Sequence, residues 1–414
     1  MLNHRLLFSF YLLSTGLAFG QDSVRVSIAN DLGLVDYSQN VIINPTSLDP
    51  FFKKLIELKK SQKGTVNILH IGDSHIQADY LTHQVRQNFQ REFGNAGRGF
   101  IVPAKVAQTN EPANYVTQSE NKWESKRVVF PDQPLPIGLG GITIRSQDEN
   151  AALKITLKSY PDLNYGFNRV TAFFQKEPRS YHAALKDSVG QDLAFIGNFS
   201  FSLEKNSATV ALPYFTNSIS FNANKSLPDQ DRITYFGFSF ENGNPGILYH
   251  AIGVNGAKFK HFLAADYFAE QSKTLNPDLI ILALGTNEAL DHPYSDPKFQ
   301  EYVDGLIQKL RSQNPDALFL ISIPADSFKK KTKKNPGVTA IRKKLMEYVQ
   351  ENKLACFDLY EAGGGNHSAN KWRKAELLRE DGVHFTRQGY ELQGNMFYLA
   401  LMNAYNQYVS HRSK

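Results

Sequence analysis

Two short polar segments contain the residue types that nucleophilic attack by a serine requires. The first is Gly72-Asp73-Ser74-His75, and the second is Asp381-Gly382-Val383-His384. A histidine must take the proton of the serine, and a carboxylate must orient that histidine. Asp381 and His384 are three residues apart, a spacing that places both side chains on one face of a helical turn. One segment can therefore supply both the base and the group that orients it.

Two further segments offer groups that could stabilise a developing negative charge. They are Gly253-Val254-Asn255-Gly256 and Gly285-Thr286-Asn287-Glu288. A serine at the start of a helix can donate its own backbone N–H, and a glycine loop can bring a second N–H close because it has no Cβ. An asparagine amide supplies a third donor. Loss of one such donor typically slows a reaction by about 10²- to 10³-fold.

Alternating strands and helices surround these segments. In such patterns the sheet is parallel and covered by helices on both faces, and ligands collect at the carboxyl ends of the strands. Three of the four segments directly follow a predicted strand, and the fourth precedes the last helix. The predicted strands are Val66–Ile71, Ile247–Ile252, Leu279–Leu284, Leu318–Ile323 and Leu354–Asp358. The predicted helices are Ile76–Phe93, Lys258–Lys273, Phe299–Gln313, Val338–Asn352 and Arg387–Tyr408.

The stretch between about residues 105 and 245 has a different pattern. Short runs of β-forming residues alternate with turn residues, and several alternate strictly, such as Leu153, Ile155 and Leu157. This pattern is typical of an antiparallel β-sandwich. The predicted strands include Arg127–Phe130, Gly141–Arg145, Leu153–Leu157, Val170–Phe174, Phe199–Leu203 and Tyr235–Phe240. We therefore predict a doubly wound, flavodoxin-like α/β domain with a five-stranded parallel sheet, interrupted by an all-β sandwich.

The N-terminus has the pattern of a secretory signal peptide. Arg5 precedes an uncharged, mostly apolar run that ends at Ala18-Phe19-Gly20, and such a run is short for a membrane-spanning helix. An uncleaved N-terminal anchor is the alternative. The predicted divisions are a signal peptide at 1–20, the first part of the α/β domain at 21–104, the inserted sandwich at 105–245 and the second part of the α/β domain at 246–414.

Composition narrows the chemistry further. The chain has 414 residues, of which 42% are hydrophobic and 21% charged, the values of an ordinary globular protein. Its single cysteine, Cys356, excludes an intramolecular disulfide and a cysteine-built metal site. The net charge of +6 is small and is not organised along one helix, so we expect no nucleic-acid partner. The spacing of His, Asp and Glu does not suggest a metal site, and we expect no cofactor.

The four segments resemble, in order and spacing, the four sequence blocks of the GDSL, or SGNH, hydrolases. The resemblance covers about residues 67–98 and 247–408, but not the β-rich stretch. It implies that Ser74 is the nucleophile, His384 the base and Asp381 its orienting partner. It also implies an oxyanion hole formed by the N–H groups of Ser74 and Gly256 and the side chain of Asn287.

Two departures from the family pattern are His75, where the name motif has leucine, and Glu288, where aspartate is common. Both resemble one branch, the bacterial peptidoglycan O-acetylesterases, which carry a β-sandwich similar to a carbohydrate-binding module between the first two blocks. The C-terminal segment from Gly363 to Tyr390, including Trp372, is also similar to that branch. The roles of His75 and Glu288 stay open between substrate contact and packing, and Gly253 is the alternative to Gly256.

The resemblance implies an exported serine esterase that removes O-acetyl groups from a glycan, with peptidoglycan as the first candidate substrate. The periplasm or the outer surface of a bacterial cell is the expected location, without a stable membrane span after signal cleavage. Acetylated xylan or another polysaccharide is an alternative substrate. A glycan O-acyltransferase and a catalytically silent glycan-binding protein are alternative functions. The lysine-rich segment from Lys329 to Lys334 is interpreted as a solvated loop, with attraction of an anionic polymer as the alternative.

Overall fold

The computed structural model describes residues 22–28, 31–130, 132, 134–197, 206–291 and 297–412. The predicted signal peptide and the predicted strand Phe199–Leu203 lie outside these residues. Among the residues described, no helix is both long and apolar enough to cross a membrane. The first elements of the chain are β1 (Ile42–Ile43), α1 (Asp49–Ser61), β2 (Thr65–Gly72), α2 (Ser74–Gln77), α3 (Tyr80–Phe93) and β3 (Gly99–Ile101), with a 3₁₀ turn at Pro45–Leu48.

The middle of the chain contains only strands among its described elements. They are β4 (Tyr115–Gln118), β5 (Glu124–Arg127), β6 (Ile142–Ser146), β7 (Ala152–Leu157), β8 (Phe167–Phe174), β9 (His182–Lys186), β10 (Asp192–Ile196), β11 (Ser207–Thr216), β12 (Ser218–Asn224) and β13 (Ile233–Glu241).

The rest of the chain returns to alternating strands and helices. The elements are β14 (Gly246–Gly253), α4 (Phe259–Ala264), α5 (Phe268–Ser272), β15 (Leu279–Ala283), α6 (Thr286–Leu290), α7 (Phe299–Gln313), β16 (Leu318–Ile323), β17 (Phe328–Lys329), β18 (Lys333–Lys334), α8 (Pro336–Asn352), β19 (Ala355–Asp358), α9 (Leu359–Ala362), α10 (Ser368–Lys374) and α11 (Arg387–Arg412). A 3₁₀ turn occupies Lys273–Leu275.

The sheets confirm the predicted fold class. The α/β sheet has the strand order β1-β19-β16-β15-β2-β14, and its last five strands are the five predicted parallel strands. The sequence analysis missed β1, a two-residue edge strand antiparallel to β19, because two residues are too few to show a periodic pattern. The sandwich consists of one sheet with the order β10-β9-β12-β7-β4 and another with β11-β8-β13-β6-β5.

Alternation along the strands explains how the α/β sheet buries both faces. In β2, Ile68 packs with α1, α3 and α11, whereas Leu69 packs on the opposite side, in a core that extends into the sandwich. Successive side chains of a strand point to opposite faces, so a strand covered on both sides is mostly apolar. Two polar side chains within β2, Asn67 and His70, are buried and form hydrogen bonds. The sandwich therefore shares a hydrophobic core with the α/β sheet.

The predicted helix Ile76–Phe93 was wrong in one respect, because Asp79 breaks it into α2 and α3. Asp79 adopts a left-handed conformation with φ 55°, and its carboxylate is buried. It accepts hydrogen bonds from Arg86 at 2.9 and 3.1 Å, from Arg98 at 2.8 Å and from Asn114 at 2.6 Å. Two buried guanidinium groups need this carboxylate as a counter-charge, and this requirement outweighs the local helix propensity.

The predicted helix Lys258–Lys273 is likewise two short helices, α4 and α5. The chain is extended at Ala265, where it meets the segment that leads into β6. Asp266 accepts a hydrogen bond from the N–H of Ile137 at 2.8 Å, and the N–H of Tyr267 donates to the carbonyl of Ile137 at 2.9 Å. Contacts with the sandwich therefore interrupt the helix.

The strand β3 pairs with the sandwich although it precedes the predicted domain boundary between residues 104 and 105. The sequence analysis placed residues up to 104 in the α/β part, but β3 pairs with β13 of the sandwich. The N–H of Phe100 in β3 also donates to Nδ1 of His250 in β14 at 3.1 Å. The sandwich sheet thus begins before residue 105, and β3 connects it to the parallel sheet.

Candidate active site

Ser74 lies where the central strand β2 passes into the short helix α2. β2 ends at Gly72, and Ser74 is the first residue of α2. The carboxylate of Asp73 accepts a hydrogen bond from the N–H of His75 at 3.0 Å and so caps the helix. This cap holds the turn in which the hydroxyl of Ser74 is presented at the carboxyl end of the sheet.

The structure brings Ser74, His384 and Asp381 into one chain of hydrogen bonds. Oγ of Ser74 lies 2.8 Å from Nε2 of His384. Nδ1 of His384 lies 3.0 Å from Oδ2 of Asp381. Both distances are those required of a nucleophile–base pair and of a base–orienter pair.

The local turn also holds Asp381 in its charged form. Burial acts to raise the pKa of the Asp381 carboxyl, but hydrogen bonds from the backbone of His384 and Val383 and from the His384 ring lower it further, and the net pKa is below its usual value. Both backbone N–H groups donate to Oδ1 at 2.8 Å. Asp381 is therefore an ionised partner that fixes the orientation of the imidazole.

A cleft of about 880 Å³ opens over these residues. Its lining includes all five residues that the sequence analysis selected: Ser74, Gly256, Asn287, Asp381 and His384. The amide nitrogen of Asn287 donates to the carbonyl of Ala257 at 3.0 Å and to the carboxylate of Asp73 at 3.3 Å. These contacts hold the Asn287 side chain between the loop of Asp73 and the loop of Ala257. To bind an oxyanion, the amide would have to give up one of these two hydrogen bonds.

Gly253 and Gly256 have different surroundings. Gly253 is buried, and a Cβ at this position would lie 2.1 Å from the backbone nitrogen of Gln77. Gly256 lines the cleft, has φ 81° and would bring a Cβ no closer than 3.9 Å to another residue. Gly253 therefore permits close packing of β14 on α2, whereas Gly256 is the glycine that faces the cleft.

We expect Gly253→Ala to destabilise the fold more than Gly256→Ala. The first substitution forces two backbone segments apart, which typically costs about 1–3 kcal/mol. The second adds only the strain of a left-handed alanine, about 1 kcal/mol. Urea unfolding of both variants measures the difference. Equal stabilities would contradict the packing role of Gly253.

The sequence analysis missed a cluster of three amide side chains beside the cleft. Gln77 accepts a hydrogen bond from the N–H of Asn255 at 2.7 Å, and its own amide donates to Thr109 at 2.9 Å and to Asn110 at 2.9 and 3.0 Å. Asn255 also donates to Oδ1 of Asn110 at 2.6 Å. We call Gln77, Asn110 and Asn255 the amide clamp, because these side chains connect α2, the Gly256 loop and the segment that leads into the sandwich.

Charged and aromatic side chains line the rest of the cleft. Arg379 and Arg387 lie on it together with Tyr80, Tyr390 and Glu111. Arg379 and Arg387 are exposed, whereas the Glu111 carboxylate accepts hydrogen bonds from Thr117 and the backbone of Lys105. The sequence contains no spacing signal for this set, because its members come from three distant segments.

His75 and Glu288 are not among the residues that line the cleft. The ring of His75 lies beneath His384, with 5.4 Å between the ring centroids, and its Nδ1 contacts the hydroxyl of Tyr390 at 3.0 Å. Glu288 accepts a hydrogen bond from the N–H of Phe259 at 2.9 Å, while its buried Oε2 has no hydrogen-bond partner among the described residues. Both residues therefore contact the segments that line the cleft without lining the cleft themselves.

Glu288 makes stability depend on pH. Burial raises its pKa to about 7, and the nearby charge of Asp73 acts in the same direction, against the hydrogen bond from Phe259 and the charge of Lys258. The unfolded chain releases this proton near pH 4.3, so the stability contributed by protonated Glu288 is present below that pH and is lost as pH rises towards 7.

We expect Glu288→Gln to remove this dependence. The melting temperature of the variant relative to the wild type should rise between pH 5 and pH 8, because glutamine stays neutral throughout. Thermal unfolding at the two pH values measures it. Glu57→Gln on the exposed face of α1 is a control that should show no such change. A constant difference for the Glu288 variant would refute the assignment.

The described residues contain no group of three or more His, Cys, Asp or Glu side chains that could hold a metal ion. The hydroxyl, imidazole and carboxylate of Ser74, His384 and Asp381 lie together at the cleft, with Gly256 and Asn287 beside them. This arrangement suits attack on a carbonyl carbon and stabilisation of the resulting oxyanion.

Comparisons with known proteins agree with the fold and the motifs. Residues 217–392 match the GDSL-like lipase/acylhydrolase family, a range that contains three of the four blocks but not Ser74. With this match, the α/β fold and the site define a carboxylic ester hydrolase that resembles the GDSL, or SGNH, hydrolases.

The fold, including the sandwich, is shared with a solved structure titled "Peptidoglycan O-acetylesterase in action, 5 min". The TM-score is 0.74 at 21% sequence identity, over 88% of this chain and 99% of that chain. A carbohydrate esterase family 3 protein from Talaromyces cellulolyticus is 16% identical, with a TM-score of 0.30 over 44% of this chain and 80% of that chain. No curated protein matches the sequence.

Proposed function

We propose that the protein is an exported serine esterase that removes O-acetyl groups from a glycan, with peptidoglycan as the first candidate. The observation that carries the proposal is the hydrogen-bonded chain from Ser74 through His384 to Asp381, open to a cleft that Gly256 and Asn287 also line. The roles of these residues and the export of the chain are part of the proposal.

The geometry suggests how the reaction would proceed. Nε2 of His384 takes the proton of Ser74 as Oγ attacks the acetyl carbon, and His384 then gives this proton to the departing sugar oxygen. The N–H groups of Ser74 and Gly256 and the Asn287 amide would hold the oxyanion. Water, activated by the same histidine, releases acetate from the acyl-enzyme.

The proposed substrate rests on the fold and on the cleft. The solved peptidoglycan O-acetylesterase aligns over almost its whole length, sandwich included. The cleft has a volume of about 880 Å³, and its exposed Arg379 suits a glycan that carries carboxylates.

Acetate release from O-acetylated peptidoglycan and from acetylated xylan tests the proposal. We expect faster release from peptidoglycan, and no release from either polymer by a Ser74→Ala variant. Preference for xylan would change the substrate and keep the chemistry. Transfer of acetyl groups to an added glycan acceptor, in place of release as acetate, would identify an acyltransferase.

We predict that the amide clamp positions the Gly256 loop for catalysis. Gln77→Leu removes the acceptor for the N–H of Asn255 and the donor to Asn110, so the N–H of Gly256 loses its fixed position. We expect kcat to fall about 10- to 100-fold, less than for outright loss of an oxyanion donor, while KM for a small acetate ester changes little.

Thr109→Val is the matched control for the clamp. It removes one hydrogen bond of Gln77 but leaves the contact with Asn255 intact, so kcat should stay close to that of the wild type. If Gln77→Leu lowered the melting temperature without lowering kcat, Gln77 would have a structural role alone.

A further inference from the structure

A second groove, of about 910 Å³, lies on the outer face of the sandwich. Gln118 in β4 pairs with Lys154 in β7, and Lys154 pairs with Ser220 in β12, so the three residues form a row across the sheet. The groove also contains Lys122 and Lys105. These side chains can donate hydrogen bonds and, for the lysines, supply positive charge.

The groove adjoins the catalytic cleft. Glu111 lines the cleft, whereas Lys105 and Thr117 line the groove. The carboxylate of Glu111 accepts hydrogen bonds from the backbone N–H of Thr117 at 3.0 Å and of Lys105 at 3.3 Å. Glu111 therefore joins the lining of the cleft to that of the groove, and a polymer bound in the cleft could continue into the groove.

The charged side chains of the groove are mostly positive. Lys122 and Lys154 are exposed, and neither forms an ion pair with another described residue. Glu120 is the acidic side chain of the groove, against its three lysines. In the cleft, Arg379 and Arg387 are balanced by Glu111 and Asp381, and Arg387 is paired with Glu391 at 2.7 Å, so the excess of positive charge lies in the groove. Clefts lined by charge of one sign raise the local concentration of oppositely charged ligands.

We propose that this groove binds an acidic stretch of the glycan whose acetyl ester lies in the cleft. Lys122 and Lys154 pair with carboxylates of the polymer, while Gln118 and Ser220 form hydrogen bonds with its hydroxyl groups. The inference rests on the proposed function and adds to it the charge of the substrate and the place on the sandwich where that substrate is held.

The test is co-sedimentation with insoluble peptidoglycan, an acidic polymer, and with neutral xylan, using full-length chains that all carry Ser74→Ala. The variant Lys122→Gln/Lys154→Gln should bind peptidoglycan about five- to tenfold more weakly, since exposed ion pairs contribute modestly. Added NaCl should weaken binding by the parent chain more than binding by this variant. Binding to neutral xylan should be weak for both.

The matched control is Lys63→Gln/Lys158→Gln, which removes the same charge from exposed lysines outside the groove. It should bind like the parent chain. Equal peptidoglycan binding by the groove variant and its parent would overturn the proposal. So would an equal loss in the control, or equal binding of xylan and peptidoglycan. Binding is measured without turnover, so the binding result can be interpreted even if the esterase assay fails.

Discussion

Ser74→Ala should reduce hydrolysis of a small acetate ester by about 10⁴- to 10⁶-fold in kcat, the range seen when the nucleophile of a serine–histidine–aspartate set is removed. No other hydroxyl is hydrogen-bonded to Nε2 of His384 in the described chain. The remaining rate would come from binding and from the oxyanion donors alone. Hydrolysis of p-nitrophenyl acetate, followed at 405 nm, measures it.

The melting temperature of Ser74→Ala distinguishes a loss of catalysis from a loss of folding. Oγ of Ser74 makes a single hydrogen bond to a described residue, to His384, so we expect a melting temperature close to that of the wild type. Ser61→Ala, an exposed position at the end of α1, is the control and should keep full activity. A Ser74 variant with more than about a hundredth of wild-type kcat would contradict the proposed mechanism.

Asp79→Ala should destabilise the fold by about 3–5 kcal/mol, the usual result of removing one partner from a buried ion pair. Asp79 lies between Arg86 and Arg98, whose side chains are 0% and 2% exposed. Burial acts to raise the pKa of Asp79, but the two guanidinium groups hold it well below its usual value. Without the carboxylate, both arginines would be buried without a counter-charge. Urea unfolding measures the loss.

Two further variants isolate the cause. Asp79→Asn keeps the shape and tolerates the left-handed backbone, so its loss of stability reports the missing charge. Asp162→Ala removes an exposed partner of Arg91 and should cost less than about 1 kcal/mol. If Asp79→Ala and Asp162→Ala were equally destabilising, the buried cluster would not have the importance that its geometry indicates.

The parts of the fold that sequence predicted best are those with a local physical cause. The five parallel strands are mostly apolar runs, because both faces of the sheet are covered. Asp381 and His384 could be paired from sequence because a single turn brings them together. The sandwich could be recognised from period-two alternation, as in Leu153 to Leu157, since one face of each strand is buried.

The parts that sequence did not predict depend on contacts between distant segments. The break at Asp79 serves Arg98 and Asn114, 19 and 35 residues further along. The clamp joins Gln77 to Asn255, 178 residues away. No local pattern marks a glutamine for such a contact, because its partners become neighbours only after β14 has paired with β2.

The sequence alone predicted ester hydrolysis by a serine, because few other reactions need a serine, a histidine–aspartate turn, a glycine loop and an asparagine together. The tertiary structure decided which glycine faces the cleft, how the sandwich is joined to the catalytic loops and where a second groove lies. These features depend on burial and on hydrogen bonds between segments from different parts of the chain. Such interactions form only in the packed fold and produce no periodic pattern in the sequence.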